Sequence, residues 1–186
     1  MKARRLLHNL VVAWLATFFS LQTGLAQTPV LDDLFGQLAA AADDRAAARI
    51  ERQIWDEWSK SGSAAMDLLL QRGRAALGAG DIAQAIEHLT ALTDHAPDFA
   101  EGWNARATAY FQAGQYGPAV EDIARTLALN PRHFGALAGL GAIYEQLGRP
   151  GQALRAYRAA LAIHPRLQGV LDAVKRLETE TGGQTL

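Results

Sequence analysis

The chain contains no cysteine among its 186 residues. Disulfide bonds are therefore excluded, and so is a lipid anchor on a cysteine near the N-terminus. Lysine is scarce too, with 3 residues against 15 arginines, a bias that is typical of a GC-rich bacterial genome. At 49% hydrophobic and 20% charged residues, the composition is that of a folded protein that relies on its packed core.

A hydrophobic run long enough to span a membrane is also missing. The apolar stretch from Leu10 to Leu21 falls short of the roughly 20 residues that a spanning helix needs. A basic head precedes this stretch, and Gly24, Leu25 and Ala26 follow it at the spacing of a signal-peptidase site. We therefore predict a cleavable signal peptide over residues 1–26, a periplasmic or secreted protein, and no stable membrane span after cleavage. An uncleaved N-terminal anchor is the alternative.

Patterns typical of catalysis or of metal binding are absent from the sequence as well. No serine lies in a nucleophile elbow, and Gly139, Leu140 and Gly141 fall inside a predicted helix rather than in a phosphate-binding loop. No two histidines after residue 26 are four residues apart on one helix, so a zinc site is not indicated. We therefore predict no enzymatic activity, no cofactor and no metal. The histidines considered are His88, His95, His133 and His164.

The acidic residues show no buried pair of the kind that general acid–base catalysis uses. His95 and His164 lie close to prolines and are expected to close helix ends. The following acidic residues are predicted to face solvent or to cap helices: Asp94, Asp98, Glu121 and Asp122.

A period of 34 residues organises most of the chain. Self-similarity at a fixed period is the signature of a solenoid built from repeated structural units. One unit begins at Phe134, and its small, glycine and proline positions return 34 and 68 residues upstream. These positions are Gly73, Ala107 and Gly141 at position 8; Gly80, Gly114 and Gly148 at position 15; Ala85, Ala119 and Ala153 at position 20; and Pro97, Pro131 and Pro165 at position 32.

Each repeated position has a physical role in a helical hairpin. A glycine at position 15 ends the first helix by adopting a positive φ, which would strain other residues. A proline at position 32 cannot continue the second helix, so the chain must turn there. Small residues at positions 8 and 20 let the two helices approach closely, and larger apolar residues fill the remaining space.

The pattern resembles the tetratricopeptide repeat, whose motif runs Trp-x2-Leu-Gly-x2-Tyr, then Ala-x3-Phe, then Pro. The third unit matches the motif best. In the second unit Arg106 replaces the motif leucine, and in the first unit Arg72 and Ala76 depart from the motif. The resemblance covers roughly residues 66–167, and it implies protein binding without naming a partner. The matching residues of the third unit are Leu137, Leu140, Gly141, Tyr144, Ala153, Tyr157 and Pro165.

The resemblance implies an all-α fold, a right-handed solenoid of about three full repeats. A degenerate helical hairpin is expected before these repeats, and a helix that caps the stack is expected after them. The expected segments are the signal peptide 1–26, an N-terminal hairpin 27–65 that caps the stack, three units over 66–167 (66–99, 100–133 and 134–167), a capping helix 168–180 and a flexible tail 181–186.

Residues 31–60 are interpreted as the degenerate hairpin. If the 34-residue phase is extended backwards, Phe35 falls at position 4 and Trp55 at position 24. Glu51 stands where the small residue of position 20 belongs, so the packing there is expected to differ. Trp55 and Trp58 are candidates for a partner-binding patch, but tryptophans at this spacing are more often part of the core.

Charge is distributed unevenly along the predicted mature chain, which carries 15 basic and 19 acidic residues. Residues 27–131 have a net charge of −7, and residues 132–186 have a net charge of +3. The basic part could orient a partner or contact an acidic surface, although solvated outer faces of helices explain it more simply. Export, the negative net charge and the lack of a basic groove argue against nucleic acid as a partner. The basic cluster includes Arg132, Arg149, Arg155, Arg158, Arg166 and Arg176.

In the family that the pattern resembles, the first helix of each unit lines a concave face, so the resemblance implies a partner-binding groove there. Relatives that grip a peptide carboxylate carry charged or amide side chains where this chain has Leu70, Ala138 and Ala142, so that mode of binding is not expected. The predicted groove residues are Asp67, Leu70, Arg74, Leu77, Glu101, Asn104, Thr108, Phe111, Gln112 and Glu145, with Gly135, Ala138 and Ala142 beside them.

Two functions fit these expectations. The first is a protein–protein interaction module or scaffold of the cell envelope, which binds a segment of another envelope protein on the concave face. The alternative is a structural protein that self-associates end to end through its acidic front and basic back, since such contacts can build chains or rings. Self-association through charge is expected to weaken as the salt concentration rises.

Overall fold

The structure is a computed structural model that describes residues 29–182, with side chains up to residue 180. This part of the chain forms nine α-helices and no strand. The predicted signal peptide and the last four residues of the predicted tail lie outside the described residues. The helices are α1 (Pro29–Ala39), α2 (Asp44–Trp58), α3 (Ala64–Ala79), α4 (Ile82–His95), α5 (Ala100–Gln112), α6 (Tyr116–Leu129), α7 (Phe134–Gln146), α8 (Pro150–Ile163) and α9 (Gln168–Gly182).

Three helical hairpins form the repeat. Helix α3 packs on α4, α5 packs on α6, and α7 packs on α8, and each hairpin also contacts the next one along the chain. The first helices of successive units contact one another as well, α3 with α5 and α5 with α7. The prediction of an all-α stack of helical hairpins is confirmed.

The repeated small residues have the roles that their positions predict. The three glycines at position 15, Gly80, Gly114 and Gly148, all have a positive φ, between 66° and 78°. At position 8 of the first unit, a Cβ on Gly73 would lie 2.5 Å from Cγ of Leu89, so the two helices leave room only for hydrogen there. The position-20 alanines of all three units are completely buried. Close approach of the two helices therefore holds each hairpin together.

The arginine that replaces the motif leucine in the second unit is accommodated by a buried ion pair. Arg106 donates hydrogen bonds to both carboxylate oxygens of Asp122 at 2.8 Å, and one to the hydroxyl of Thr93 at 2.7 Å. The hydrogen bond to Asp122 raises the pKa of Arg106 above its usual range. The prediction that Asp122 faces solvent or caps a helix is wrong, because its carboxylate is buried to balance this arginine.

The N-terminal hairpin, α1 with α2, packs against the third unit and α9 rather than capping the first unit. Its buried residues form one hydrophobic cluster with Phe134 of α7 and with Val170 and Leu177 of α9. This corrects the expected capping position. The physical reason is that the apolar residues of α1 and α2 are removed from water by packing against Phe134, Val170 and Leu177. Glu51 pairs with His164, at the end of the third unit.

Helix α9 follows the third unit and packs on α8. Its residues Val170 and Leu177 are buried, while Ala173 and Val174 are partly buried against the same cluster. The helix runs two residues beyond the expected end at 180, so the helical part of the chain is slightly longer than predicted. The hairpin and α9 thus share one core, which positions the hairpin over the third unit.

Candidate partner-binding site

The face formed by α3, α5 and α7, which we call the first-helix face, carries a narrow recess between the second and third units. The recess has a volume of about 130 Å³. On the α5 side it is lined by Asn104, Thr108 and Phe111, all three of which are predicted groove residues. On the α7 side the lining consists mainly of residues with small side chains or none, namely Gly135, Ala136, Gly139 and Ala142.

The recess exists because α7 presents so few side chain atoms at this point. A Cβ on Gly139 would meet only Cδ1 of Ile123, at 3.7 Å, so the backbone here has open space beside it. Apolar cavities of roughly 150 Å³ are large enough to hold a benzene ring. The recess can therefore hold one apolar side chain, with the amide of Asn104 and the hydroxyl of Thr108 at its rim.

A buried carboxylate lies beside the recess at the start of α5. Glu101 is 2% exposed, accepts hydrogen bonds from Arg74 and Asn104, and lies 2.9 Å from Nε2 of His133. Because Nδ1 of His133 accepts the backbone N–H of Ala136, a neutral ring carries its hydrogen on Nε2 and donates it to Glu101. The buried carboxylate of Glu101 is therefore hydrogen-bonded and paired with Arg74, as a buried charge requires. In turn, Glu101 balances the charge of Arg74.

Several predicted groove residues of the first unit serve the chain itself. The carboxylate of Asp67 accepts hydrogen bonds from the hydroxyl and the backbone N–H of Ser61, and these bonds lower the pKa of Asp67. Leu70 is 2% exposed and belongs to the hydrophobic core between α3, α4 and α5. Leu77 packs against the same core. The side chains of Leu70 and Leu77 therefore fill the core rather than face a partner.

Two further predicted groove residues lie away from the recess. Gln112 is exposed in the last turn of α5. Glu145 accepts a hydrogen bond from the hydroxyl of Tyr157 at 2.6 Å and pairs with Arg176 of α9. Burial, together with this hydrogen bond, raises the pKa of Tyr157 well above its usual range. Of the ten predicted groove residues, three line the recess.

The N-terminal hairpin borders the recess. A Cβ on Gly135 would lie 2.6 Å from Cη2 of Trp55, so the indole packs directly on the backbone at the edge of the recess. Trp58 stacks on His133, with the ring centroids 4.2 Å apart and the planes 18° from parallel. Trp58 is buried in the core, as the more common role of such tryptophans suggests, whereas Trp55 is half-buried.

Sequence reasoning missed two buried histidines. His133 and His164 lie at the turns before α7 and after α8, and each is at most 1% exposed. Each faces a carboxylate, His133 that of Glu101 and His164 that of Glu51. The expectation that His164 closes a helix end agrees with its place as the C-cap of α8. In the sequence, both histidines lie close to a position-32 proline, and this shared place was the available signal. It did not reveal their partners, because Glu101 and Glu51 belong to distant segments of the chain.

The lining of the recess contains no ionisable side chain, so its chemistry is that of apolar contact with a polar rim. Across residues 29–182, no group of three or more His, Asp and Glu side chains is arranged to hold a metal ion. Over the same residues, no helix combines the length and the apolar character that crossing a membrane requires.

A model of the tetratricopeptide repeat matches residues 70–121 and 104–167, which together make up more than half of the chain. The chain belongs to the tetratricopeptide repeat family. A TPR repeat-containing protein of Rhizobium etli is 42% identical over 113 residues, a stretch that covers 61% of this chain and 55% of that protein. This chain therefore spans about half the length of that relative.

Solved TPR structures share the fold at low sequence identity. The Arabidopsis OM64 TPR domain matches with a TM-score of 0.61 at 22% identity, covering 62% of this chain and 96% of that domain. The first TPR of Spaghetti (RPAP3), solved bound to an HSP90 peptide, has a TM-score of 0.61 at 22% identity and covers 64% of this chain and 95% of its own. MamA matches with a TM-score of 0.58 at 22% identity, covering 81% of this chain and 80% of the MamA chain. At these identities the likeness establishes the fold alone.

Proposed function

We propose that this TPR protein is an interaction module that binds a segment of another protein on its first-helix face. The recess carries the proposal, because it combines one apolar pocket with the polar side chains of Asn104 and Thr108 at its rim. Pockets of this kind bind through apolar contact and use a few polar groups to orient the ligand. An extended segment would place one apolar side chain in the recess and orient its backbone by hydrogen bonds at the rim.

The lining of the face also indicates what the partner segment lacks. The Spaghetti domain is bound to an HSP90 peptide, and we propose peptide binding here as well. In this chain, however, Ala142 lines the recess where a carboxylate grip would need a polar side chain, and Arg74 is already paired with Glu101. We therefore expect an internal apolar residue of the partner, rather than its C-terminal carboxylate, to be recognised.

A peptide library tests this proposal. Short extended peptides that differ only in one central residue, from alanine to leucine, methionine and phenylalanine, are measured for binding to the full chain. Gly139→Leu fills the recess from α7, and it is expected to weaken binding of the best peptide by at least about tenfold. Gly78→Leu is the matched control, because Gly78 also lies within a first helix with open space beside it.

Two results would count against recess binding. One is a peptide affinity that Gly139→Leu and Gly78→Leu reduce equally, since the loss would then come from the helix rather than from the recess. The other is an affinity that survives Asn104→Ala and Phe111→Ala together. Both variants are expected to fold, because Asn104 and Phe111 are partly exposed.

We further propose that the chain is exported and that its partner is another protein of the cell envelope. The support is the basic head, apolar run and small-residue site of residues 1–26. Cell fractionation followed by N-terminal sequencing tests this: the mature protein should begin at Gln27 and be found in the periplasm or the medium. A chain that keeps Met1 and stays with the membrane would mean that the segment is an anchor.

The alternative of end-to-end self-association needs unpaired basic side chains, and the structure leaves fewer of them than the sequence suggests. Four of the six arginines of the basic cluster form ion pairs within the chain: Arg132, Arg158, Arg166 and Arg176. We therefore expect a monomer by light scattering at both low and high salt. Assemblies that form at low salt and dissociate as salt rises would favour the alternative.

A further inference from the structure

The N-terminal hairpin and its linker use groups that a partner on the first-helix face would need. The guanidinium of Arg74 donates to the hydroxyl of Ser59 at 2.9 Å. Asp67, a second predicted groove residue, holds Ser61 in the linker between α2 and α3. In the first unit, the linker after α2 thus makes the polar contacts to Arg74 and Asp67 that a bound partner would be expected to make.

Helix α2 crosses the repeat in the direction opposite to the order of the units. Its first residue pairs with the turn after the third unit, its middle reaches the end of α8, and its last turn packs on the start of α7. The residue after the helix reaches the first unit. The successive pairs are Asp44 with Arg166, Glu51 with His164, Trp58 with His133, and Ser59 with Arg74.

The surface that receives α2 is aromatic and closely fitted. Trp58 stacks on His133 and lies 5.0 Å from the ring of Phe134. Trp55 meets the same two rings edge-on, with centroids 5.4 and 5.6 Å away, and packs on the bare backbone of Gly135. We call this surface the hairpin site; its residues are His133, Phe134, Gly135, His164, Arg166 and Val170.

The ion pairs at the rim of the hairpin site contribute little to docking. Arg166 and Asp44 are 39% and 59% exposed, and Arg132 and Asp32 are 32% and 61% exposed. Ion pairs this open to solvent are weak because water screens them and the long side chains lose freedom. Docking therefore rests on the buried apolar residues of the hairpin, to which α1 contributes Leu34, Phe35 and Leu38. A competitor for the place of α2 must present the apolar face of α2.

We propose that the hairpin site is a second binding surface, which the chain's own α2 occupies and which accepts a partner's amphipathic helix in its place. The chemistry of that helix follows from α2. Glu51, Ile54, Trp55 and Trp58 stand at i, i+3, i+4 and i+7, which is a single face of a helix. The partner helix carries a carboxylate for His164, a branched aliphatic residue, and two aromatic residues for His133, Phe134 and Gly135.

The linker sets a threshold for such a partner. Only residues 59–63 separate α2 from α3, so the hairpin meets its site at a high effective concentration. A partner helix replaces it only when it binds more tightly than this local competitor. This second site is distinct from the recess, because the two bind different shapes of ligand, but they meet at Gly135, where Trp55 packs at the edge of the recess.

A peptide added in trans to the full chain tests the proposal. The probe is a fluorescent synthetic peptide of residues 46–60, and the acceptor is the full chain with Trp55→Ala and Trp58→Ala, which weaken the tethered helix but leave its site unchanged. We expect this variant to bind the probe at least about tenfold more tightly than the wild-type chain does, because the competing segment is released. Hydrogen exchange over residues 44–58 reports the release directly.

Three controls make the outcome decisive. A probe that carries alanine at both tryptophan positions should not bind, and Trp103→Ala in the acceptor should leave the affinity at the wild-type value. Arg166→Ala removes the hydrogen bonds to the carbonyls of Ala41 and Ala42, which the probe does not contain, and touches neither tryptophan, so it should give an intermediate gain. Equal probe affinity for wild type and variant would overturn the proposal, and so would loss of protection throughout α5–α8, since the hairpin would then be an inseparable part of the fold.

Discussion

The repeat units and the N-terminal hairpin are both pairs of antiparallel helices, yet they are held in different ways. Within the units, contacts such as Gly73 with Leu89 join residues that are close in sequence. The hairpin is held by contacts between residues 75 to 125 positions apart, from the stacking of Trp58 on His133 to the hydrogen bond that Arg166 donates to the carbonyl of Ala41. Repeat units are therefore ordered by their own neighbours, whereas the hairpin depends on the finished stack.

This difference shows that a segment can share the 34-residue period of the repeat without taking the next place in the stack. The 34-residue register extends back to Phe35 and Trp55, and both lie in helices as expected. The hairpin nevertheless packs across the third unit, where its apolar residues are buried and Glu51 pairs with a buried histidine. The local sequence pattern determines that these residues form helices. The fit between the surfaces of the hairpin and of the third unit determines where those helices lie.

The largest effect that separates the two regions is expected from Trp58→Ala. Removing a buried aromatic side chain that stacks on His133 is expected to cost about 3–5 kcal/mol of hairpin docking. Hydrogen exchange should show faster exchange over residues 29–58, while the helices of the three units stay protected. Trp103→Ala is the control, since its indole donates to an exposed carbonyl. Uniform loss of protection would mean that hairpin and units unfold as one.

A somewhat smaller effect is expected from Asp122→Ala in the second unit. The change leaves Arg106 without its carboxylate in a largely buried place, at a cost of roughly 3 kcal/mol. Adding Arg106→Leu restores the motif residue and should recover most of that loss, as measured by denaturant unfolding. A double variant no more stable than the single one would show that the ion pair is not what accommodates the arginine.

Ala119→Leu is expected to cost about 1–3 kcal/mol, because it overfills a completely buried position between the helices of the second unit. The loss should spread to the first and third units, since each unit is stabilised by its neighbours. The measurement is the thermal midpoint of the helical circular dichroism signal. Ala124→Leu, at an exposed position of the same helix, should leave that midpoint unchanged. If Ala119→Leu also left the midpoint unchanged, the two helices of the second unit would not be in close contact at Ala119.

The smallest effect concerns pH and the hairpin. The hydrogen bond from His164 lowers the pKa of Glu51 below its ordinary value of 4.5, with further help from Trp55 and the charge of Arg52. Because the folded-state pKa is depressed, this contribution is complete above that value and is lost as pH falls through the folded-state pKa. Tryptophan fluorescence during titration from pH 6 to 3 should report loosening of the hairpin, and Glu51→Gln should remove this step. An identical titration of wild type and Glu51→Gln would contradict the pairing.

Prediction from sequence succeeded where a feature depends on local geometry. The positive φ of Gly80, Gly114 and Gly148 follows from ending a helix, and that requirement is visible in the spacing. The resemblance to the TPR family placed Asn104, Thr108 and Phe111 on one face of the first helix, and the structure brings these three side chains together in the lining of the recess. The recess itself could not be predicted, since its depth depends on how closely α5 and α7 approach.

Prediction failed where the partner lies on another helix. Leu70 has the same periodic position as Asn104, yet it is buried in the core, whereas Asn104 borders the recess. The burial of Asp122 follows from Arg106, and that of Glu101 from His133 and Arg74. These pairings join different helices, so no spacing along one helix reveals them.

By itself, the sequence determined that this protein is an all-α stack of TPR hairpins with small residues at fixed positions, because each of those positions answers a local demand of helix ending or helix contact. Only the tertiary structure decided that the N-terminal hairpin lies across the third unit and that a recess opens beside it. The physical reason is that both features arise from surfaces brought together by packing, and their fit is a property of distances between helices rather than of order along the chain.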